Sequence, residues 1–284
     1  MNNPDLIEAV KWFKNHFIHI DANLVTIKNG KVNVAHSLEI GARGMVMDTV
    51  SKPPFKLGKV EGSFAIASYE FEDLKSLIPE EINGPFSIIS PRLSLDNLEG
   101  CIPKGCTSII LRFAQIGNLK GCPDELRDNF SIFKTIIGSL EGCPQYVDNF
   151  IIDHCMLDTL EGSPREVGST LHVQSSRLKS LKGSPREVGG DFDVRSNELV
   201  DLRGMTRRIG GSILCTTNNL KTLEGAPKKV YGNFNCMNNQ LENLIGAPEY
   251  VERDFMAMSN PWMKSHEGAP RDVGGRLLLP TIQL

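Results

Sequence analysis

The chain has 284 residues, 31 Lys and Arg against 34 Asp and Glu, and a formal net charge of −3. A balance this close to neutral provides no whole-chain field to draw in nucleic acid or a membrane surface, and no run reaches the ~18 apolar residues a membrane span needs. Seven cysteines, with no C-x-x-C pair and no His-x-x-x-His helix, point to small core residues in a reducing cytosol rather than to disulfides or zinc.

In chain order, Asn3-Pro4-Asp5 followed by Leu6, Ile7, Val10, Phe13 and Phe17 predicts a short amphipathic helix with an N-cap and Pro at its first position. Residues 24–34 then alternate apolar and polar around Asn29-Gly30, a strong hairpin signal. Helix and hairpin fall in a non-repeating segment, 1–52, expected to cap the remainder of the chain. The N-terminus shows no basic region, apolar stretch and small-residue cleavage site in succession, so a cytoplasmic location is expected.

Residues 53–284 repeat. A glycine after an L-x-x-L step recurs at Gly100, Gly121, Gly142, Gly162, Gly183, Gly204, Gly225, Gly246 and Gly268, at intervals of 20 to 22. A period held that tightly means stacked copies of one supersecondary unit, a β-rich solenoid. In the copy Leu178 to Leu199, Phe192 and Val194 are two apart and face into the stack, so Asp193 and Arg195 face out. Asn197 ends the strand, where its carboxamide can satisfy backbone groups left unpaired by the turn. The same column holds Asn218, Asn239 and Asn260, but upstream it reads Ser176, Cys155, Thr135 and Ala114. About eleven strands are expected, beginning at Phe64, Phe86, Ile109, Phe130, Phe150, Leu171, Phe192, Ile213, Phe234, Phe255 and Leu277. The return segments carry Gly and Pro without a 3.6-residue apolar pattern and read as extended or short 3₁₀ pieces. The apolar tail from Leu277 is an open strand edge, blunted by Pro280, through which copies of the chain could join.

The chemistry-bearing residues do not converge. Of six histidines, His154 and His172 come from adjacent strands but at different positions, with no Ser or Cys nucleophile beside them. The pairs Gly189-Gly190, Gly210-Gly211 and Gly274-Gly275 precede strands rather than helices and are not phosphate loops. No enzyme activity and no cofactor is expected. Two surface features stand out. Arg186, Arg207 and Lys228 share one column and Arg208 and Lys229 the next, a basic stripe on the return side. The outward strand face is apolar in places and flanked by charge, with Arg112, Phe113, Phe133, Lys134, Asp153, His154, Arg177, Arg195, Met237 and Met258 as candidate partner-binding residues.

The Phe192-x-Val194-x-x-Asn197-x-Leu199 pattern is the strand signature of a leucine-rich repeat. Its longer form, L-x-x-L-x-G-x-P-x-x-V-x-G-x-F-x-[V/C]-x-x-N, and its start at residues 54–64 after a helix and hairpin, resemble short leucine-rich repeats of bacterial and large tailed-phage proteins. That resemblance implies a horseshoe with its parallel sheet on the concave face, and it carries no catalytic motif. Cys122-Pro123-Asp124 resembles the C-x-D tripeptide of ubiquitin-ligase effectors bearing such repeats, but Cys122 lies in the column of small residues. The expected function is non-enzymatic: a phage-encoded protein that occludes a host defence or regulatory protein through the concave face. The alternatives are a virion or assembly component self-associating through its C-terminal strand, and a secreted bacterial effector.

Overall fold

The computed structural model describes residues 4–16, 20–41 and 49–282. Asn3 and Phe17 of the expected helix, the histidine His19 and the last two residues of the apolar tail lie outside them. The chain forms a β-solenoid with little helix, in two compact units, Met1–Ile136 and Ile137–Leu284. From Phe64 onward, four parallel-strand turns lie in the first unit and seven in the second, which gives the eleven expected.

In the first unit the helix spans Pro4–Asn15 and buries Ala9, Trp12 and Phe13, with Ile7 left 59% exposed. Of the face expected from the sequence, Phe13 is buried, Leu6 and Val10 are half-buried and Ile7 is exposed, while Ala9 and Trp12, outside it, are buried. The reason is local: Trp12 and Phe13 both pack on Phe55, with ring centroids 5.6 and 5.4 Å away. The hairpin forms as expected. Strands Val25–Lys28 and Lys31–Val34 pair antiparallel with Lys28 opposite Lys31, and Asn29 and Gly30 both take positive φ in the two-residue turn. Lys31–Val34 then pairs in parallel with Lys56–Val60. A short strand not foreseen in the sequence, Leu38–Ile40, pairs with Phe64–Ala67 and is the first of the main parallel sheet. Phe86–Ile89, Ile109–Arg112 and Glu125–Phe133 follow in order.

In the second unit the main strands are Tyr146–Asp153, Leu171–Gln174, Phe192–Asp193, Ile213–Leu214, Phe234–Asn235, Phe255–Met256 and Leu277–Leu278, each paired in parallel with the next. The first inward position is fully buried in every turn of both units except the last, where Leu277 is 45% exposed. The return side is extended, with two-residue strands such as Glu187–Val188 and Arg208–Ile209. Among the described residues the one 3₁₀ helix is Ala22–Leu24, outside the repeats.

Three devices bend the chain along the repeats. The first is L-x-G-[small]: the N–H of Ser184 donates to the carbonyl of Leu181 at 3.1 Å, with Gly183 at φ +85°. That positive φ in third place is what a type II turn requires. The turn recurs through all nine glycines from Gly100 to Gly268, and the small column after them supplies the donor. A side-chain oxygen three residues before the glycine adds a second bond: Ser180 accepts the N–H of Lys182 and Asp201 that of Arg203. The second device is a left-handed residue just after the main strand, at Phe113, Lys134, His154, Ser175, Ser196, Thr217, Asn238 and Ser259. None is glycine, so each costs about 1 kcal/mol or more.

The third is the asparagine column, which offsets that cost. Asn197 Oδ1 accepts the N–H of Ser176 at 3.0 Å and of Leu178 at 3.1 Å. Its Nδ2 donates to the carbonyls of Val173, Val194 and Arg195. Asn218, Asn239 and Asn260 repeat the pattern, each accepting an amide from the preceding turn and donating to carbonyls of both turns. These carboxamides are buried, so each partners several groups that would otherwise be orphaned at about 1–3 kcal/mol apiece. Upstream, Ser176 and Thr135 substitute a hydroxyl and bond less.

Glycine serves a steric purpose as well as a conformational one. A Cβ on Gly225 would lie 2.3 Å from the carbonyl of Leu202, whereas one on Gly30 would meet nothing within 4 Å, although both residues have positive φ. Gly30→Ala is therefore expected to cost about 1 kcal/mol, and Gly225→Ala several times that, read as the shift in urea midpoint. Equal costs would mean that the column is glycine for its φ alone. Asn218→Ala should lose about 3 kcal/mol by the same measurement, from buried amide and carbonyl groups left without partners.

Candidate functional site

The outward face of each unit's sheet is set by the register. In the first unit Ile89, Arg112 and Phe133 stand side by side at the end of their strands. The Arg112 guanidinium lies over the Phe133 ring, 4.9 Å from its centroid, an arrangement worth about 0.5–1 kcal/mol at an exposed site. Phe113 and Lys134 come directly after these strands in the left-handed position, Phe113 36% exposed and Lys134 exposed. Ile89 and Ile110 are half-buried beside them. Four of the sequence-derived candidates, Arg112, Phe113, Phe133 and Lys134, are thus brought into one patch.

In the second unit the outward row runs Ile151, His172, Asp193, Leu214, Asn235 and Met256 in direct register. Strand alternation places Asp193 on the surface, yet it is only 3% exposed. Arg195 closes on it with two bonds, Nε to Oδ1 at 2.9 Å and a terminal nitrogen to Oδ2 at 2.7 Å, and His172 Nδ1 lies 3.0 Å from Oδ2. Burial pushes the Asp193 carboxyl up, but the bonds from His172 and Arg195 outweigh it and bring the group down to about 2. Beside this cluster, Asp153 holds His154 Nδ1 at 2.8 Å. His154 and Arg177 both sit in the turn after the strand with positive φ, their side chains exposed. Met237 is half-buried and Met258 37% exposed.

An Asp–His pair is two-thirds of a nucleophilic triad, so the nearest thiol decides its chemistry. Cys215 lies inward, fully buried, and donates to the Asn235 carbonyl at 3.3 Å. Burial, with the Asp193 charge adding to it, pushes that thiol up to about 12, so it is protonated near neutral pH. Cys122, of the C-x-D tripeptide, is likewise pushed up to about 12 by burial. Neither thiol is poised to attack. The described residues contain no group of three or more His, Cys, Asp or Glu able to hold a metal ion. The described helices include none long and apolar enough to cross a membrane.

The basic stripe, Arg186, Arg207, Arg208, Lys228 and Lys229, is exposed on the return side of the second unit. Arg208 pairs with Glu187 at 3.4 Å and Lys228 with Glu249 at 3.1 Å. An exposed aromatic beside it, Tyr231 at 55%, is not among the sequence-derived candidates. Its signal is present in the sequence, since Tyr231 occupies a column that is glycine at Gly168, Gly189 and Gly210.

The low Asp193 value makes a pH prediction. A carboxyl depressed in the folded chain contributes stability above its unfolded value, near 4, and loses it as pH falls toward 2. With a shift from 3.8 to about 2, the contribution is about 2 kcal/mol. Asp193→Asn should therefore unfold at lower urea than the parent at pH 7, and the gap should narrow between pH 4 and pH 2. A gap independent of pH would mean that the cluster is held by packing instead. The chain matches no family model, no curated protein and no solved structure among those compared with it.

Proposed function

We propose that this chain is a non-enzymatic binding protein that engages another protein through the outward face of its parallel sheet. The observation that supports this most is the first-unit patch: Phe113 and Phe133 with Arg112 laid over one ring, beside half-buried Ile89 and Ile110. Aromatics and arginine are the residues that dominate interface energetics. A sheet held by hydrogen bonds at every turn also loses little conformational freedom on binding.

The finer reading is a leucine-rich-repeat horseshoe, capped by the N-terminal helix and hairpin, with this face concave. The repeat pattern then suggests a phage-encoded protein in the cytoplasm of its bacterial host, making a host defence or regulatory protein inert by covering it. A pull-down from bacterial lysate tests this. The parent chain should retain one stoichiometric partner, and Phe113→Ala/Phe133→Ala should lose it while melting at an unchanged temperature. The same captured proteins with both would end the outward-face reading.

A second reading has its own observation. Leu277 is 45% exposed where every other residue of its column is buried, and among the described residues no strand pairs with the outer edge of Leu277–Leu278, an edge that a second copy could take up. In that case the chain should show concentration-dependent oligomers in sedimentation that Leu277→Glu abolishes.

A further inference from the structure

The return side of the second unit carries a regular amide ladder that fails at one step. Gly168, Gly189 and Gly210 each donate to the residue 21 or 22 positions earlier, Val147, Val167 and Val188, at 2.9 to 3.0 Å. Glu252 and Gly274 do the same to Val230 and Val251 at 2.9 Å. Among the described residues, the corresponding bond from Tyr231 to the carbonyl of Ile209 is absent. The adjacent ladder fails at the same step. Gly190 to Ser169, Gly211 to Gly190, Arg253 to Gly232 and Gly275 to Arg253 are made, but Gly232 to Gly211 is not. The return strands accordingly fall into two sets, one ending at Arg208–Ile209 and the next beginning at Lys229–Val230.

The Tyr231 column marks the step. A Cβ on Gly189 would stand 2.0 Å from the carbonyl oxygen of Gly168, and one on Gly210 2.1 Å from that of Gly189. Tyr231 is the first residue after this glycine run to carry a Cβ; Glu252, which carries one too, keeps its bond to Val230. Two bonds are missing at this step, and an open groove of about 750 Å³ lies there.

We propose that this groove binds an acidic peptide segment of a partner in extended form. Its walls hold Arg207, Arg208, Lys228 and Lys229 against one carboxylate, Glu187, which is paired with Arg208, and Tyr231 stands at its side. Among the described residues Arg207 and Lys229 have no ion-pair partner, so two cations face the groove uncompensated. The break also leaves an amide donor at Tyr231 and a carbonyl acceptor at Ile209, both lining it. A peptide backbone supplies an acceptor and a donor to match, as strand addition does elsewhere. A phosphodiester backbone supplies acceptors only, so a nucleic acid could meet the Ile209 carbonyl only through a base amino group or a 2′-hydroxyl, whereas a peptide carries a donor beside each acceptor along its main chain, which favours peptide. The site lies on the return side and does not depend on the outward-face reading above.

The test is fluorescence anisotropy with a labelled peptide of about ten residues alternating Glu and Thr, long enough to cross the break when extended. Comparison probes are the Gln-Thr counterpart and an oligothymidylate of similar length. Saturable binding of the Glu-Thr peptide is expected, with at least about tenfold weaker binding of the Gln-Thr peptide and of Arg207→Ala/Lys229→Ala. Both substituted side chains are exposed, so an unchanged melting temperature should accompany the loss. Tyr231→Gly, which removes the aromatic side chain lining the groove, should weaken binding by a similar factor. The proposal is overturned if the parent chain fails to bind the Glu-Thr peptide saturably, if either variant binds as the parent does, or if oligothymidylate binds more tightly than the peptide.

Discussion

Backbone lies directly on backbone in this molecule, and the rest of the structure answers to that closeness. At Gly183 and Gly225 a single added carbon would stand 2.5 Å or less from main-chain atoms of the turn before. Turns that approach so closely can exchange amide and carbonyl bonds along their whole length, including segments with no regular strand. The approach also dictates composition. Glycine fills the columns where chains touch, aromatic and branched side chains fill the interior, and the corners must find partners for the polar groups that the bends release. Within each unit, with each turn bonded to its neighbours in sequence, stability accumulates turn by turn as in other linear repeats.

The corners show how a strained conformation is kept. A residue other than glycine takes the left-handed region after nearly every main strand, including Thr217, whose branched side chain suits it poorly. The next residue in four successive turns is a buried asparagine that bonds two consecutive turns at once. In those four turns the strained corner is thus locked by a group that belongs to the stack rather than to the corner alone.

Much of this is legible in the residues. The period, the inward positions, the Asn197 to Asn260 column and the Asn29-Gly30 turn all come from spacing and from residue types with few alternative uses. The buried face of the first helix does not, because Phe55, far along the chain, selects Trp12 over Ile7. The acceptor column at Ser180 and Asp201 is obscured because its members share only an oxygen, not a residue type. Alternation along the strand assigns Asp193 to the surface, and it cannot register that Arg195 and His172 fold over it. Of the candidate binding residues, the spacing places Arg112 and Phe133 on one face. It does not show that Phe113, His154 and Arg177 take a reversed φ, after which alternation no longer dictates direction.

The cysteines give the stack a property separate from binding. Cys101, Cys106, Cys122, Cys215 and Cys236 all have thiols raised by burial, and Cys215 and Cys236 lie in consecutive turns of the second unit. A protonated, enclosed thiol is inert toward alkylating reagents until its own turn opens. Cys215 and Cys236, both fully buried, are therefore reporters in two consecutive turns of the second unit, and their relative labelling rates would show which of the two frays first.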